Sequence, residues 1–575
     1  MNTTIMKRHM HDFSLESLKS FLGRKLVDTI IEWTPDHETL FTKAKLSEMI
    51  LTVHGINILK NQEFRKSLLM TFNKEDIISF QQLLPNSQGN IKEVILLIDA
   101  IASVPWRNNS VSNHLLSLLS IEDNVFEKSQ MNDETQYTIS AYERFYELLD
   151  YQFVIKQRLL NNLNSDVELN RMIVHMPTGT GKTKTAIHTI CHFYNFNLRK
   201  KGLILWIAHT SELLQQAYET FYTVWMHLGE GDITACRLWG AHDIDTNAFN
   251  FNGVIFCGIQ KLMALSTSSP EVFEHLVRQC SLIVFDEAHK AAAEETRKTI
   301  ERFMIKKQGM NDRALIGLTA TPGRFTDANI SNNLLAAMYG NKLIEIDVDV
   351  MNSINLSKIE ALNTIPETNI ISYFQNKRIL AKVKKEQLTY PEGLSSDELS
   401  KIHEIAYDNG YTDFSPKALV TIGRNKSRNQ AIMKKLRELN SDGIPTIVFA
   451  CSVEHGQLMA SMLSIEDIPN ALVIGNMSAQ DRISAIKAFK DRNNPINILI
   501  NFEVLTTGFD STNIKCVFIT RPTQSVVLYS QMLGRGLRGP QMGGNEECLL
   551  VDVKDNLEKY NEKLAFAHFD NYWKV

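Results

Sequence analysis

The string Thr178 to Thr183 (TGTGKT) constrains this chain more than any other stretch. It follows a short apolar run, Arg171 to Met176 (RMIVHM), of the kind that forms a buried parallel strand. Pro177 ends the run, and Lys184 to His192 reads as a helix. A glycine-rich turn from strand into helix aims backbone amides inward at a helix N-terminus, where the dipole favours an anion. Gly179 and Gly181 let the backbone approach phosphate oxygens with no side chain in between. The pattern predicts a nucleoside triphosphate loop built from Thr178, Gly179, Thr180, Gly181, Lys182, Thr183 and Lys184. Lys182 is expected to reach the β- and γ-phosphates, and Thr183 to hold Mg²⁺ through its hydroxyl. The common form of the loop has glycine where this chain has Met176.

A second apolar run, Ser281 to Phe285 (SLIVF), ends in Asp286-Glu287-Ala288-His289. A buried strand ending in a carboxylate places it at the carboxyl edge of an open α/β sheet, where ligands bind. Asp286 is expected to coordinate the metal ion, and Glu287 to orient and deprotonate the attacking water. Alone, such an acidic pair reads as a solvated helix cap. The upstream strand and the matching phosphate loop change that reading.

With these residues in place, the chain from about Tyr142 onward resembles the superfamily 2 helicases and translocases. Within them it is most similar to the branch of restriction-enzyme motor subunits and related repair helicases. The strings appear in that family's order. Gln152 stands where the family reads adenine. LWIAHTSELLQQ, from Leu205 to Gln216, is similar to a nucleic-acid-contacting motif centred on Thr210, although Ser211 stands where many members carry arginine. VIFCGIQKL, from Val254 to Leu262, supplies Gln260. GLTATPGR, from Gly317 to Arg324, resembles the coupling motif, with Thr319 and Thr321, and His289 would join it in linking nucleotide state to motion. NFEVLTTGFD, from Asn501 to Asp510, supplies Thr506, Gly508 and, toward the ribose, Asp510. QMLGRGLR, from Gln531 to Arg538, places Gln531 at the γ-phosphate and makes Arg535 and Arg538 arginine fingers. A guanidinium from another lobe suits a transition state whose charge spreads over oxygens. Two arginines three residues apart share a face if the segment is helical.

At 575 residues the chain exceeds one core, and several domains are expected. Residues 1–138 read as a helical accessory module: Leu15, Leu18, Phe21, Leu22, Leu26 and Ile30 recur at helical spacing. Residues 139–345 alternate strands and helices, as a parallel sheet requires. Residues 346–420 read as a connector whose basic stretch, Arg378 to Gln387, is a solvated helix face or lines a nucleic-acid channel. Residues 421–575 form the second lobe, ending in an aromatic tail. The fold class expected is α/β, with two tandem RecA-like parallel-sheet lobes behind an α-helical N-terminal domain.

No run is long and apolar enough to span a membrane. Seven scattered cysteines without a C-x-x-C pair read as reduced thiols of a cytoplasmic protein, not as a zinc site. A net charge of −4 leaves any nucleic-acid contact to a local basic track and backbone amides. The expected activity is ATP hydrolysis with Mg²⁺ that drives movement on nucleic acid, DNA before RNA. Two other readings stand beside it: a motor subunit powering a partner nuclease or defence complex through residues 1–138, and an ATP-gated nucleic-acid-binding switch.

Overall fold

The computed structural model describes residues 3–33, 41–84, 93–121, 136–140, 147–165, 169–240, 242–243, 252–305, 313–320, 329–347, 349–352, 370–390, 414–506, 511–523 and 525–553. Two sheets organise them. The first has eight strands: β1 (Gln136–Ile139), β2 (Leu169–His175), β3 (Leu203–Ala208), β4 (Ile233–Leu238), β5 (Gly253–Gly258), β6 (Cys280–Asp286), β7 (Arg313–Thr319) and β8 (Leu343–Ile344). Their spatial order is β1-β4-β5-β3-β6-β7-β2-β8. Only β1 runs antiparallel, against β4. These central strands are near-continuous apolar runs because helices cover both faces. Met172 and Val174 point into one core beside the helices Asp150–Leu163, Lys182–His192 and Ser211–Leu228. Ile173, between them, points into the opposite core beside the helices Ile259–Ser268 and Glu294–Met304.

The second sheet has six strands, all parallel: β9 (Lys382–Leu388), β10 (Thr446–Phe449), β11 (Asn470–Val473), β12 (Ile498–Asn501), β13 (Cys516–Ile519) and β14 (Glu547–Val553). Their order is β11-β12-β10-β13-β14-β9. Here the basic stretch departs from expectation. The stretch is not a solvated helix: after the turn at Arg378, Lys382–Leu388 forms an edge strand of this sheet, in register with β14. Two of its charges are paired across the surface, Lys384 with Glu547 at 2.6 Å and Glu386 with Lys435 at 2.6 Å. An edge strand rich in lysine is protected from pairing with another chain.

One face of the second sheet (Ile447, Phe449, Leu499, Val517, Leu550) continues the first lobe's core. The other face (Val448, Ile498, Ile500, Phe518, Val551) shares a core with the N-terminal helices, through Leu18, Ile30, Met49, Ile50, Leu68 and Leu115 among others. The helix Lys43–His54 packs directly on the helix Val453–Ile465. Polar ties secure the seam. Lys45 donates to the Ile465 carbonyl and pairs with Asp467 at 3.1 Å. Lys426 reaches the Glu32 carbonyl at 3.0 Å, and the Ile56 amide donates to Asp481 at 3.3 Å. The helical module is thus built onto the second lobe.

Candidate nucleotide-binding site

Strand β2 ends at His175, and the loop after it enters the helix Lys182–His192 with no side-chain cap. Gly179 and Gly181 hold φ of 86° and 79°, left-handed values that residues with a Cβ rarely adopt. A Cβ on Gly181 would also lie 2.5 Å from the Gln152 Nε2. The loop is fixed from the helix Asp150–Leu163. Tyr151 donates its hydroxyl to the Thr180 carbonyl at 2.7 Å, and Gln152 donates its amide to the same oxygen at 3.0 Å. The Gln152 carbonyl accepts from the Leu149 amide at 3.1 Å. Gln152 therefore braces the loop, and it is almost wholly buried. Lys184 turns away from the loop and donates to the Glu147 carbonyl at 2.8 Å.

Lys182 donates to the Met176 carbonyl at 3.3 Å. Burial lowers its pKa, Glu287 and Asp286 oppose that shift, and Arg535 adds to it. Asp286 closes strand β6, and its Oδ1 accepts from the Glu287 amide at 3.0 Å. Burial and the adjoining Glu287 carboxylate push its pKa up to about 7. Glu287 goes the other way. Burial opposes its ionisation, but His289, Lys182, Lys290 and Arg535 outweigh it and hold the pKa below the usual carboxylate range. The backbone of Glu287 is left-handed, with φ 54° and ψ 53°, strain of the kind that functional turns store. Its Oε2 is buried without a hydrogen bond, 3.3 Å from the His289 Nδ1. The same nitrogen lies 3.3 Å from the Thr319 hydroxyl. Glu287, His289 and Thr319 thus form a contact line from the acidic turn to the end of strand β7.

The second lobe enters through the chain after the helix Val526–Leu533. That helix stops before the two arginines, so Arg535 and Arg538 share no helical face. Arg535 sits in the turn, and Arg538 bridges to Leu380 in an extended segment. Two glycines explain the break by close approach. A Cβ on Gly534 would lie 2.5 Å from the Thr178 Cβ of the first lobe, and one on Gly536 would lie 2.3 Å from the Cys548 Sγ. Arg535 donates to the Thr506 carbonyl at 3.0 Å, and its charge acts on both Lys182 and Glu287. Gln531 is buried, and its Nε2 has no hydrogen-bond partner. A buried unpaired donor is costly, and a phosphate oxygen or water in the cleft would relieve it.

The structure thus gathers Thr178 to Thr183, Asp286, Glu287, His289, Thr319, Gln531, Arg535 and Arg538 around one cleft. The residues singled out for nucleic acid are more dispersed. Thr210 caps the helix Ser211–Leu228 by accepting from the Leu213 amide at 3.3 Å. Thr506 donates its hydroxyl to the Glu503 carbonyl at 2.8 Å. Gln260 is exposed on the first turn of the helix Ile259–Ser268. Thr321, Gly508, Asp510 and the aromatic tail lie outside the described residues. Among the described residues, no cluster of three or more His, Cys, Asp or Glu side chains could hold a metal. A Mg²⁺ ion would rest on Asp286, Thr183, water and phosphate oxygens, the usual manner for this ion. Tyr151, Gly534 and Thr506 were not given these contacts by sequence reasoning. The glycines flanking Arg535 were the available signal, since paired glycines mark close backbone approach.

Residues 145–324 match the family described as type III restriction enzyme, res subunit, and residues 428–539 match the helicase conserved C-terminal domain. The chain is 24% identical over 393 residues to the "Putative mitochondrial ATP-dependent helicase irc3" of Schizosaccharomyces pombe, covering 68% of this chain and 54% of that one. It is 23% identical over 415 residues to the type I restriction enzyme EcoAI endonuclease subunit of Escherichia coli, covering 70% and 45%. A solved fragment of "a putative HsdR subunit of a type I restriction enzyme" from Vibrio vulnificus shares 18% identity over 71% of this chain and 64% of that one, with a TM-score of 0.46. The chain spans about half the length of the curated relatives it matches.

Proposed function

We propose, because this chain belongs to the superfamily 2 helicases and translocases in the branch of restriction-enzyme motor subunits, that it hydrolyses ATP with Mg²⁺ to move on nucleic acid, with DNA as its track. The observation that carries the reading is the buried, unpaired Gln531 amide beside Arg535. Both come from the second lobe, and Arg535 is electrostatically coupled to Lys182 and Glu287 of the first. Bound Mg²⁺ would neutralise phosphate charge, with Asp286 and Thr183 as its protein ligands. Lys182 holds the β- and γ-phosphates. Ionised Glu287 orients the water and takes its proton. Arg535 and Arg538 stabilise charge on the transferring group, and Gln531 meets its oxygens. His289 and Thr319 pass the state of Glu287 to strand β7. Opening and closing of the cleft then changes the grip of the two lobes on the strand.

Steady-state hydrolysis without polymer, and with single-stranded DNA, duplex DNA and RNA, tests this reading, with Lys182→Ala as control. Strong stimulation by DNA supports it, and stimulation by RNA alone overturns the choice of track. A second reading is favoured by the likeness to a restriction endonuclease subunit: the motor powers a partner nuclease docked through the helical module of residues 1–138. Hydrolysis that appears only with that partner would select it. Hydrolysis stimulated by DNA with no movement along it would select an ATP-gated switch.

A further inference from the structure

The phosphate loop is backed from the second lobe by two short segments. Residues 378–382 and 537–546 are laced together. Ala381 donates to the Leu537 carbonyl at 2.8 Å, Gly539 to the Ile379 carbonyl at 2.8 Å, and Gln541 to the Arg378 carbonyl at 3.0 Å. Lys382 donates to the Glu546 carbonyl at 2.9 Å, and Arg378 pairs with the Glu546 carboxylate. The lacing requires glycine at two points. A Cβ on Gly539 would meet the Arg378 carbonyl oxygen at 2.3 Å, and one on Gly544 would meet the Arg538 carbonyl oxygen at 2.1 Å.

This laced unit lies against the glycines of the loop. The Leu380 Cδ2 and Arg538 Cγ come within 3.8 and 3.6 Å of the place a Gly179 Cβ would take. The Met542 Cε comes within 3.6 Å of the same place on Gly181. The unit also reaches the loop through its brace. Leu380 donates to the Phe374 carbonyl at 3.1 Å, and Phe374 meets the Tyr151 ring edge-on at 4.9 Å. Tyr151 in turn holds the Thr180 carbonyl. Leu380, Arg538 and Met542 thus pack against the glycines of the loop from the second lobe.

We infer that Leu380 and Met542 are positioning residues for the nucleotide: packed against Gly179 and Gly181, they hold the phosphate loop in its binding form when the second lobe is docked. The inference rests on the nucleotide reading of the same loop. Neither side chain touches the reacting atoms, so they act on affinity more than on the chemical step. A flexible glycine loop left unsupported must be ordered by the nucleotide itself, and that cost appears as weaker binding.

The test uses the full chain and an ATP carrying a fluorescent ribose tag. Met542→Ala and Leu380→Ala are each expected to raise Kd and the KM for ATP about fivefold, the double variant more, with kcat within about twofold of wild type. Met542→Leu, which restores apolar volume, is expected to recover most of the affinity. Thermal unfolding checks that each variant is folded. Met542 is half-buried, so its variant remains informative if Leu380→Ala destabilises the chain. Unchanged Kd and KM in folded Met542→Ala overturn the inference, as does a fall in kcat with Kd unchanged. Wild type that fails to bind the tagged ATP overturns the nucleotide reading as well, and so separates the two failures.

Discussion

The two lobes use one layered plan and complete it differently. The first sheet has both faces covered by helices of the same stretch of chain. The second sheet faces the first lobe on one side, and on the other it shares a core with helices from the far N-terminus. The chemistry divides along the same line. Lys182, Asp286 and Glu287 sit in the lobe that covers its own sheet. Gln531 and the arginines sit in the lobe whose position depends on its neighbours. On the proposed mechanism, the groups that would stay fixed lie on the self-contained half, and the groups that would arrive and leave lie on the half braced from elsewhere.

The sharpest way to break this division is to remove one group from each side. Lys182→Ala and Glu287→Gln are each expected to lower turnover by at least about a hundredfold, with Glu287→Gln still binding ATP. Arg535→Ala is expected to cost about a thousandfold in kcat. Hydrolysis near wild type in Arg535→Ala, measured in steady state, would show that the first lobe works alone.

Deleting residues 1–121 strikes the other half of the comparison. It uncovers the Val448, Ile500 and Phe518 face. The shortened chain should bind a hydrophobic dye and melt at a lower temperature. Gly55→Ala is the milder form. Gly55 has φ 56°, and its Cβ would lie 2.5 Å from the Asp481 carboxylate. It should destabilise the chain by about 1–3 kcal/mol in denaturant titration, with the first lobe's tryptophan signal lost last. Simultaneous loss of both lobes' signals would merge them into one cooperative unit.

Gly534→Ala tests the contact between the halves. Its Cβ would collide with Thr178, so turnover should fall about tenfold while the unfolding midpoint moves little. A large midpoint shift with normal turnover would make the contact structural.

A further expected effect is one both lobes share. Burial and nearby cations push His188 in the first lobe and His455 in the second down to about 3, burial being the larger cause in each. His455 is held neutral. Its Nδ1 accepts from the Cys451 amide at 3.1 Å, and its Nε2 donates to the Asn429 carbonyl at 3.0 Å. Each histidine takes up a proton more readily when unfolded, so stability is full above about pH 6.5 and declines as pH falls from there toward 3. Urea midpoints at pH 7.5, 6 and 4.5 check the slope. A midpoint that rises on acidification would refute the sign.

Much of the layout was legible because strand ends carry chemistry. TGTGKT and DEAH each follow an apolar run, and the structure puts a strand before each. The basic stretch misled because charge pattern was weighed above strand pattern. Lys382–Leu388 mixes exposed and half-buried positions, with Lys384 and Lys385 both exposed, and its lysines suit an edge strand. The shared face of Arg535 and Arg538 does not form because the helix ends at Leu533, before Gly534 and Gly536. Thr210 carried a legible cap signal, a threonine at the start of an apolar-periodic helix, beside its motif resemblance. The seating of the described helices between residues 3 and 121 on the second lobe was not legible at all. Helical periodicity says that a face is buried, and says nothing of what buries it.

The shared core of the second lobe also sets an order of events at synthesis. The N-terminal helices leave the ribosome before either lobe, yet the sheet face they cover is finished only by Val551 and Val553 of β14. At about 5–20 residues per second, the first-made helices wait on the order of tens of seconds for their partner. The first lobe is translated during that interval and can fold on schedule between them. The newborn chain therefore carries an uncovered apolar surface until β14 is made, and holdase chaperones that shield such surfaces would govern the yield of this half more than that of the self-contained one.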